Sequence, residues 1–589
     1  MSNKVGADPE VPAKKPKEEE PEQESWGRHL EFVLSCIGYC VGLGNVWRFP
    51  YLAYQNGGGV FFIPYFLMLF LCGIPLFYTE LAMGQFSGLG TLGVWKAVPC
   101  FKGIGYGMIL VSFMVIIYYN VVIAWSVHYL FSGFQKVLPW TKCDEWWNTP
   151  ITKGQCAISK AVAEDQLDCR ADNVAEYDRL FWKFNATVRA EWEPVLKNQY
   201  NLTNDQIADV FNAQIKAEPS EEYWFRRVLQ LNDEFTDNGG KYTMDESGNV
   251  LGDLVGSNLF AWVLVFLCLF KGIASSGKVV YFTATFPYLV LLILVIFGAT
   301  LEGAGDGIDF YLRPDVSKLS DAGVWSAAAT QIFFSLGVSF GGLMVMASYN
   351  KNCVSVDAVV KSGPGLAFIA YPEAMGLLGG VGPFISFLFF VMLITLGLDS
   401  QFAMVDIGVA GFFDEFPQFK KGWKKTITVG IYCLIGFLLG FPLMTQAGLH
   451  WFNLINDYSA YHGLLILALF FTITVHFVYG FVTEKFRFLS NIKEMNGEMN
   501  IIAKGYFYAN WYGLTPAMII FIVGMAFAGY KTIGEAYGDE DVYPSWTNNL
   551  AMVMSMSPVI VTVVYLVYSL IITKGKSIYP AEDFKPKAH

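Results

Sequence analysis

The stretch Cys40–Pro50 constrains the fold of this chain more than any other part of its sequence. An apolar run that begins at Phe32 predicts a membrane-spanning helix, but Gly42, Gly44 and Asn45 interrupt it near its middle. Glycine and asparagine weaken a helix, and the backbone groups that a break frees cannot face lipid. The break therefore predicts a protein-lined cavity inside the membrane.

Such a break is typical of secondary transporters. In these proteins free carbonyls coordinate a cation, and the amino terminus of a half-helix receives an anionic substrate group. A glycine-rich face for helix packing is the alternative interpretation. Arg48, just after the break, and a second broken helix favour the cavity.

The second broken helix is predicted at residues 331–349. Small residues interrupt its apolar sequence at Ser335, Gly337, Ser339, Gly341 and Gly342. Two breaks, in the first and sixth predicted spans, predict two repeats of five spans that meet at a central site.

Asp399 and Glu80 stand out among the acidic residues within predicted spans. Asp399, in Leu-Gly-Leu-Asp-Ser at 396–400, lies in the middle of its span. Because a carboxylate at that depth is costly and usually functional, we predict a cation ligand there rather than a structural ion pair. For Glu80, near a helix end, we predict a structural hydrogen-bonding role.

The composition predicts an all-α polytopic membrane protein. Of its 589 residues 54% are hydrophobic, and the mean hydropathy is +0.40. The net charge is −11 and the basic residues form no continuous stripe, so nucleic acid is not expected as a partner. The histidines and cysteines show neither metal-ligand spacing nor a catalytic pair, so we do not expect an enzyme.

Hydropathy predicts eleven spans. They cover residues 30–52, 60–80, 106–133, 257–271, 279–299, 323–349, 382–412, 425–443, 460–482, 512–530 and 549–573. Residues 1–25 are polar and charged and predict a disordered cytoplasmic tail without a cleavable signal peptide.

The polar segment 134–256 predicts a large extracellular loop. It contains Cys143 and Cys156, close together, and glycosylation sequons at Asn185 and Asn201. A disulfide between the two cysteines and glycans on the two asparagines would both require the outer face. Cys169 is left without a predicted partner.

Loop charges indicate that one span is missing. The positive-inside rule places the basic loops before the sixth span in the cytoplasm. Counting on with eleven spans, the lysines at 420–425 would lie outside and the acidic segment 535–541 inside. One further span after Tyr349 corrects the sign of every later loop.

Four motifs resemble the sodium- and chloride-dependent neurotransmitter and amino-acid symporter family, of solute carrier 6 type. They are G-L-G-N-V-W-R-F-P-Y, N-G-G-G-x-F-x-x-P-Y, S-L-G-x-x-F-G and L-G-L-D-S, and the similarity runs over residues 26–574. Within the family, the sequence resembles the glycine, proline and GABA transporter branches more than the monoamine branch.

The resemblance implies a leucine-transporter-like inverted-repeat fold with broken helices 1 and 6. That fold has twelve helices, and the seventh would be absent here, between Val360 and Lys361. Residues 26–574 would form the transporter domain and residues 575–589 a cytoplasmic tail. The protein would be a multi-pass plasma-membrane protein in the lipid bilayer, as a monomer or weak homo-oligomer.

The resemblance also implies sites for Na+ and Cl−. One sodium site would comprise Gly38, Val41, Leu396, Asp399 and Ser400; the other would comprise Cys40, Asn45 and Ser335. Oxygen-only ligands suit a hard cation. Chloride would lie among Tyr65, Gln331 and Ser335. Because the absent helix supplies ligands to one sodium site and to chloride in the family, we expect both of those sites to be incomplete.

The implied substrate site lies between the two breaks. Its residues would be Gly42, Leu43, Gly44, Val115, Tyr119, Phe334, Gly337, Phe340 and Met404. Monoamine carriers have an aspartate where this chain has Gly42, so the resemblance favours an amino acid with its own carboxylate. Arg48 would close the outer gate with Asp457, directly or through Asn456. At the inner gate Asp414 would lack its usual partner, because Gln23 occupies the position of the family's gate arginine.

We therefore expect a sodium-coupled symporter of small neutral amino acids or related zwitterions. The sequence does not choose among glycine, proline, GABA, taurine and betaine as the substrate. Gly337 and Phe340 slightly favour a proline-sized substrate. The alternative is a transport-deficient isoform, or an incomplete gene model, that lacks helix 7. A ligand-gated channel has little support, because two half-helix breaks favour alternating access.

Overall fold

The computed structural model describes most of the predicted membrane part of the chain. The described residues are 26, 28–149, 152–153, 193–198, 203, 207, 219–231, 242–300, 304–349, 368, 371–376, 379–483, 487–537, 541–581 and 584. The predicted tail 1–25, Cys156, both glycosylation sites and the junction Val360–Lys361 lie outside them, so those predictions stay predictions.

Regular structure in the described residues is helical, apart from one isolated bridge between Val250 and Thr445. The first half contains α1 (His29–Cys40), α2 (Gly44–Gln55), α3 (Phe62–Met68), α4 (Ile74–Ser87), α5 (Lys102–Ser132), α6 (Gly252–Leu269), α7 (Ile273–Thr283), α8 (Phe286–Ala299), α9 (Ala304–Leu312), α10 (Ala322–Leu336) and α11 (Gly342–Ser348). The second half contains α12 (Gly382–Glu415), α13 (Trp423–Leu439), α14 (Gly448–Tyr458), α15 (His462–Thr472), α16 (Arg487–Asn496), α17 (Ile501–Ala509), α18 (Thr515–Ala528) and α19 (Ser545–Thr573).

Eight helical segments are long and apolar enough to cross a membrane. They are Gly58–Ser87, Pro99–Ser132, Gly252–Leu269, Ser276–Ala299, Gly382–Glu415, Gly448–Phe481, Ile501–Ala528 and Ser545–Thr573. The pair α1 and α2 passes as a ninth span with a bend of 55°, while α10 is apolar but shorter. An all-α polytopic membrane fold is confirmed; the count of eleven spans stays a prediction.

Two long helices, α5 and α12, pack antiparallel at the centre of the bundle. Near the carboxyl end of α5 the ring of Tyr129 lies 5.1 Å from that of Phe390, close to the start of α12. At the opposite end Lys102 pairs with Glu415, the last residue of α12. The end with Tyr129 and Phe390 is called the outer end of the bundle below. The end with Lys102 and Glu415 is called the inner end.

The chain changes ends between the sixth predicted span and α12. Tyr349, just after α11, donates a hydrogen bond of 3.1 Å to Asp406 in the inner half of α12. Tyr371 instead packs 5.2 Å from Phe389 in the outer half of the same helix. At 1.5 Å per residue, Phe389 and Asp406 lie about 25 Å apart along α12.

This separation bears on the predicted missing span. Because Tyr349 and Tyr371 contact opposite ends of α12, this helix begins at the end of the bundle opposite to the one where α11 ends. Lys420 and Lys425 then lie in one cavity with Asp406 and Asp414, at the inner end. This agrees with the positive-inside rule.

The orientation predicts which loops reach each side of the membrane. A cysteine at Lys421 should react with a membrane-impermeant maleimide only after the cells are permeabilised. A cysteine at Asp541, which lies exposed before α19, should react in intact cells. The unsubstituted chain controls for its own ten cysteines. Labelling with the two sides reversed would show that the later spans are inverted.

Candidate functional site

The two broken helices lie against each other at the centre of the bundle. The hydroxyl of Tyr39, near the end of α1, donates to the carbonyl of Gly337, 298 residues away, at 3.3 Å. The thiol of Cys40 lies 3.7 Å from the carbonyl of Leu336. The two breaks therefore form one site, as the two-repeat prediction requires.

Side chains satisfy the backbone groups that the first break frees. The amide of Leu43 donates to the hydroxyl of Tyr119 on α5 at 2.9 Å. The side-chain amide of Asn45 donates to the carbonyl of Cys40 at 3.1 Å. Asn45 thus caps a carbonyl of the helix half that precedes it, which explains why a residue that weakens helices is used here.

The second break is held by side chains from α4, α5 and the loop after α4. Gly337, Ser339 and Gly341 all have left-handed backbones, with φ of 62°, 67° and 92°. The Ser339 amide donates to the carboxylate of Glu80, which is fully buried. The hydroxyls of Thr91 and Ser112 donate to the carbonyls of Gly341 and Phe340.

The predicted hydrogen-bonding role of Glu80 is confirmed, although its position is not near a helix end. Glu80 lies in the middle of α4, and its bond holds Ser339 in a backbone conformation that is costly for a residue with a side chain. The two residues are 259 positions apart.

A small cavity of about 30 Å³ lies between the breaks. Seven of the nine predicted substrate residues line it: Gly42, Gly44, Tyr119, Phe334, Gly337, Phe340 and Met404. Tyr39, Cys40, Asn45, Ser335 and Ser400 complete the wall. Leu43 and Val115 are not in the wall; both are fully buried, and Leu43 contributes its backbone amide to Tyr119.

Two glycines of the first break are needed for close approach. A Cβ on Gly42 would lie 2.5 Å from the Tyr119 hydroxyl and 2.6 Å from that of Ser400. On Gly44 it would lie 2.9 Å from the ring of Phe334. Both distances are below those of real Cβ contacts, so any side chain at these positions would displace the cavity wall.

The expectation that Gly337 adds room for a larger substrate is wrong. A Cβ on Gly337 would lie 2.6 Å from Cζ of Tyr39. The ring of Tyr39 therefore already fills the space that the glycine leaves. Nothing in the sequence of the second break reveals this, because Tyr39 belongs to α1.

Two of the residues predicted for one sodium site, Gly38 and Ser400, meet beside the carboxylate of Asp399. Gly38 lies directly against that carboxylate, since a Cβ there would overlap it. The Ser400 hydroxyl lies 3.4 Å from the carbonyl of Gly38. Val41, which follows α1, and Leu396, three residues before Asp399, are also buried. The site combines one negative charge with oxygen donors, which suits a hard monovalent or divalent cation.

The Asp399 side chain is only half satisfied. One of its oxygens, Oδ1, accepts a hydrogen bond of 2.7 Å from the hydroxyl of Thr283 on α7. The other, Oδ2, is buried and has no hydrogen-bond partner among the described residues. A buried carboxylate oxygen left unpaired is costly, and a cation at this position would remove that cost.

The second predicted sodium site and the predicted chloride site share Ser335. Cys40, Asn45 and Ser335 line the same cavity. The Gln331 side-chain amide donates to the Ser335 hydroxyl at 2.7 Å, and the Tyr65 hydroxyl lies beside Ser335. The structure thus brings the predicted residues together; their roles as ion ligands stay predictions.

The predicted outer gate is not closed by a direct ion pair in this conformation. Asp457 accepts hydrogen bonds from Tyr537 and Asn456, both at 2.8 Å. Arg48 packs over the cavity wall instead, 5.2 Å from the ring centroid of Phe334.

At the inner end, Asp414 has a partner although the usual arginine is absent. Its carboxylate accepts a hydrogen bond of 2.9 Å from the backbone amide of Gly93. Trp26 anchors the start of the described chain through bonds to the carbonyls of Tyr349 and Met346. These contacts close the inner side beneath the second break.

Comparison with known proteins agrees with this geometry. The profile of the sodium:neurotransmitter symporter family matches residues 23–354 and 351–573. The glycine transporter 1 of Xenopus laevis, described as sodium- and chloride-dependent, is 40% identical over 617 aligned residues, covering 97% of this chain and 89% of that protein. The mouse (Mus musculus) sodium- and chloride-dependent neutral and basic amino acid transporter B(0+) is 42% identical, covering 90% and 83%.

A third relative, the sodium- and chloride-dependent glycine transporter 2 of Xenopus laevis, is 36% identical. The alignment covers 94% of this chain and 70% of that protein.

The family match is divided into two parts at residues 351–354. The alignment with glycine transporter 1 is longer than the whole chain, so it includes positions that this chain lacks.

Proposed function

The chain belongs to the sodium:neurotransmitter symporter family, and on this premise we propose that it carries small neutral amino acids, glycine among them, across the plasma membrane in symport with sodium. The family is one of secondary transporters rather than enzymes. The relatives that suggest glycine are named as glycine transporters and as a neutral and basic amino acid transporter.

The observation that supports this proposal best is the surroundings of Gly42. The cavity is polar at that end, where Gly42 lies between the hydroxyls of Tyr119 and Ser400. The hydroxyl of Tyr119, which accepts from the Leu43 amide, is a donor that a substrate carboxylate could accept from. Among the residues that the structure describes, no acidic side chain lines this cavity, which favours a substrate with its own carboxylate, as an amino acid has.

The wall opposite this end is apolar. Phe334, Phe340 and Met404 line it, with the rings of Phe334 and Phe340 6.2 Å apart. Tyr39 fills the space beside Gly337, which favours a small substrate over a bulky one. This replaces the expectation of a proline-sized substrate with one of glycine or a similarly small neutral amino acid.

Sodium would be held by the oxygen donors around Asp399, with Gly38, Val41, Leu396 and Ser400 as the other ligands. The unpaired Oδ2 of Asp399 supports this assignment, because a buried charge needs a counter-charge. The amino acid and the ion would then occupy neighbouring positions on either side of the first break.

Uptake measurements test the proposed function. Cells that express the chain should accumulate radiolabelled glycine in sodium medium, and accumulation should disappear when sodium is replaced by choline. Asp399→Ala should abolish the sodium-dependent part, because it removes the only charge among the proposed ligands. Equal uptake in choline, with the protein shown at the cell surface, would contradict the proposal.

The packing at Gly42 predicts a second result. Gly42→Ala should raise the KM for glycine by roughly tenfold or more, because its methyl group would press on Tyr119 and Ser400 at a cost of about 1–3 kcal/mol. Gly298→Ala is the matched control, since a Cβ there meets nothing within 4 Å. A KM unchanged in Gly42→Ala would show that the substrate does not bind at this end of the cavity.

We propose further that the chloride site and one sodium site are incomplete in this chain. Tyr65, Gln331 and Ser335 would contribute to chloride, but the family ligands of helix 7 have no counterpart in this sequence. The divided family match supports this proposal. It also favours the second candidate function, a transport-deficient form that retains the fold.

The chain as written should therefore show no chloride-dependent uptake. Replacing chloride by gluconate should leave any glycine uptake unchanged, whereas inserting a family seventh helix between Val360 and Lys361 should introduce chloride dependence. Uptake that is absent before the insertion and present after it would favour the transport-deficient form. Robust chloride-coupled uptake by the 589-residue chain would contradict the incomplete site.

A further inference from the structure

We infer that Thr283 is a positioning residue for the sodium site around Asp399, an inference that rests on the proposed function. Thr283 is the last residue of α7 and is 2% exposed. None of the ligand sets implied by the family resemblance includes it. It comes from a third helix, whereas the proposed ligands come from α1, the first break and α12.

The hydroxyl of Thr283 holds one particular oxygen of Asp399. It lies 2.7 Å from Oδ1 of Asp399 and 3.2 Å from the carbonyl of Val279 in its own helix. The hydroxyl has one proton, and the shorter contact, to a carboxylate, is the stronger bond. Oδ1 is thereby occupied, and Oδ2 is left without a partner in the described part of the chain.

Oδ2 is the oxygen nearest to where Gly38 approaches the carboxylate. An added Cβ on Gly38 would overlap Oδ2 first and Cγ of Asp399 next. The carbonyl of Gly38 is in turn the group that the Ser400 hydroxyl contacts. The carboxylate is therefore oriented with its free oxygen toward the other proposed ligands and its bonded oxygen toward α7.

This arrangement matches the general role of a group that orients a metal ligand. Carboxylates that bind ions are usually hydrogen-bonded at their other oxygen, and removing such a partner typically weakens ion binding by roughly 10- to 100-fold. Without the Thr283 hydroxyl, both oxygens of Asp399 would be unpaired and the side chain could rotate away from Gly38. Thr283 would thus affect sodium affinity while having no contact with the amino acid cavity.

A neighbouring threonine provides a matched control. Thr285 lies two residues further along the chain, is exposed, and donates its hydroxyl to the carbonyl of Tyr281 at 2.6 Å. Thr283→Val and Thr285→Val each replace a hydroxyl by a methyl group, at positions two residues apart. Thr283 faces Asp399, whereas Thr285 is exposed. Thr283→Ser keeps the hydroxyl and tests whether that group alone is required.

The test is a sodium titration of the purified full-length protein without any amino acid. Thermal unfolding is followed as sodium replaces N-methyl-D-glucamine at constant ionic strength, because a ligand that binds the folded state raises Tm. For Thr283→Val the sodium concentration that gives a set rise in Tm should increase by roughly 10- to 100-fold. Thr283→Ser and Thr285→Val should titrate like the unsubstituted protein.

Transport supplies a second measurement that a merely structural role would not reproduce. In Thr283→Val the half-saturating sodium concentration for uptake should rise, while the KM for glycine at saturating sodium stays unchanged. If Thr283→Val does not yield folded protein, Thr283→Ala is titrated in its place. If these variants need the same sodium concentration as the unsubstituted protein for a set rise in Tm, the inference is overturned. If the unsubstituted protein itself gains no stability from sodium, the proposed function fails instead.

Discussion

The structure depends on how backbone groups are satisfied where two membrane helices are broken. Inside a bilayer an unpaired amide or carbonyl costs several kcal/mol, so each break needs side chains from elsewhere in the chain. Tyr119 accepts from Leu43, Glu80 accepts from Ser339, and Tyr39 donates to Gly337. These bonds tie the two breaks to α4 and α5 and to each other, and the cavity is the space that remains between them.

The same requirement explains the distribution of charge around the site. Asp399 and Glu80 are both buried carboxylates bonded at one oxygen only, Glu80 by the Ser339 amide and Asp399 by the Thr283 hydroxyl. Glu80 stabilises the second break, whereas the free oxygen of Asp399 faces Gly38, another of the proposed sodium ligands. A carboxylate with one oxygen fixed and one free is a suitable ligand for an ion that must bind and leave during each cycle.

Tyr349 and Tyr371 lie at opposite ends of the bundle, the first against Asp406 and the second against Phe389 of α12. α12 packs antiparallel to α5, with the pair Tyr129–Phe390 at one end and the pair Lys102–Glu415 at the other. The burial of apolar surface along these long helices stabilises this arrangement.

Some features of this protein follow from its sequence alone. Glycines and an asparagine inside apolar runs locate both breaks, Asp399 in mid-span predicts an ion ligand, and the signs of the loop charges predict that a span is missing. These are local properties, because hydropathy, helix propensity and charge can be assessed residue by residue along the chain. Only the tertiary structure showed that Tyr39 fills the space beside Gly337, that Thr283 holds Asp399 and that Arg48 lies over Phe334. Those contacts join residues between 116 and 298 positions apart, and their partners are decided by how helices pack, which no local pattern records.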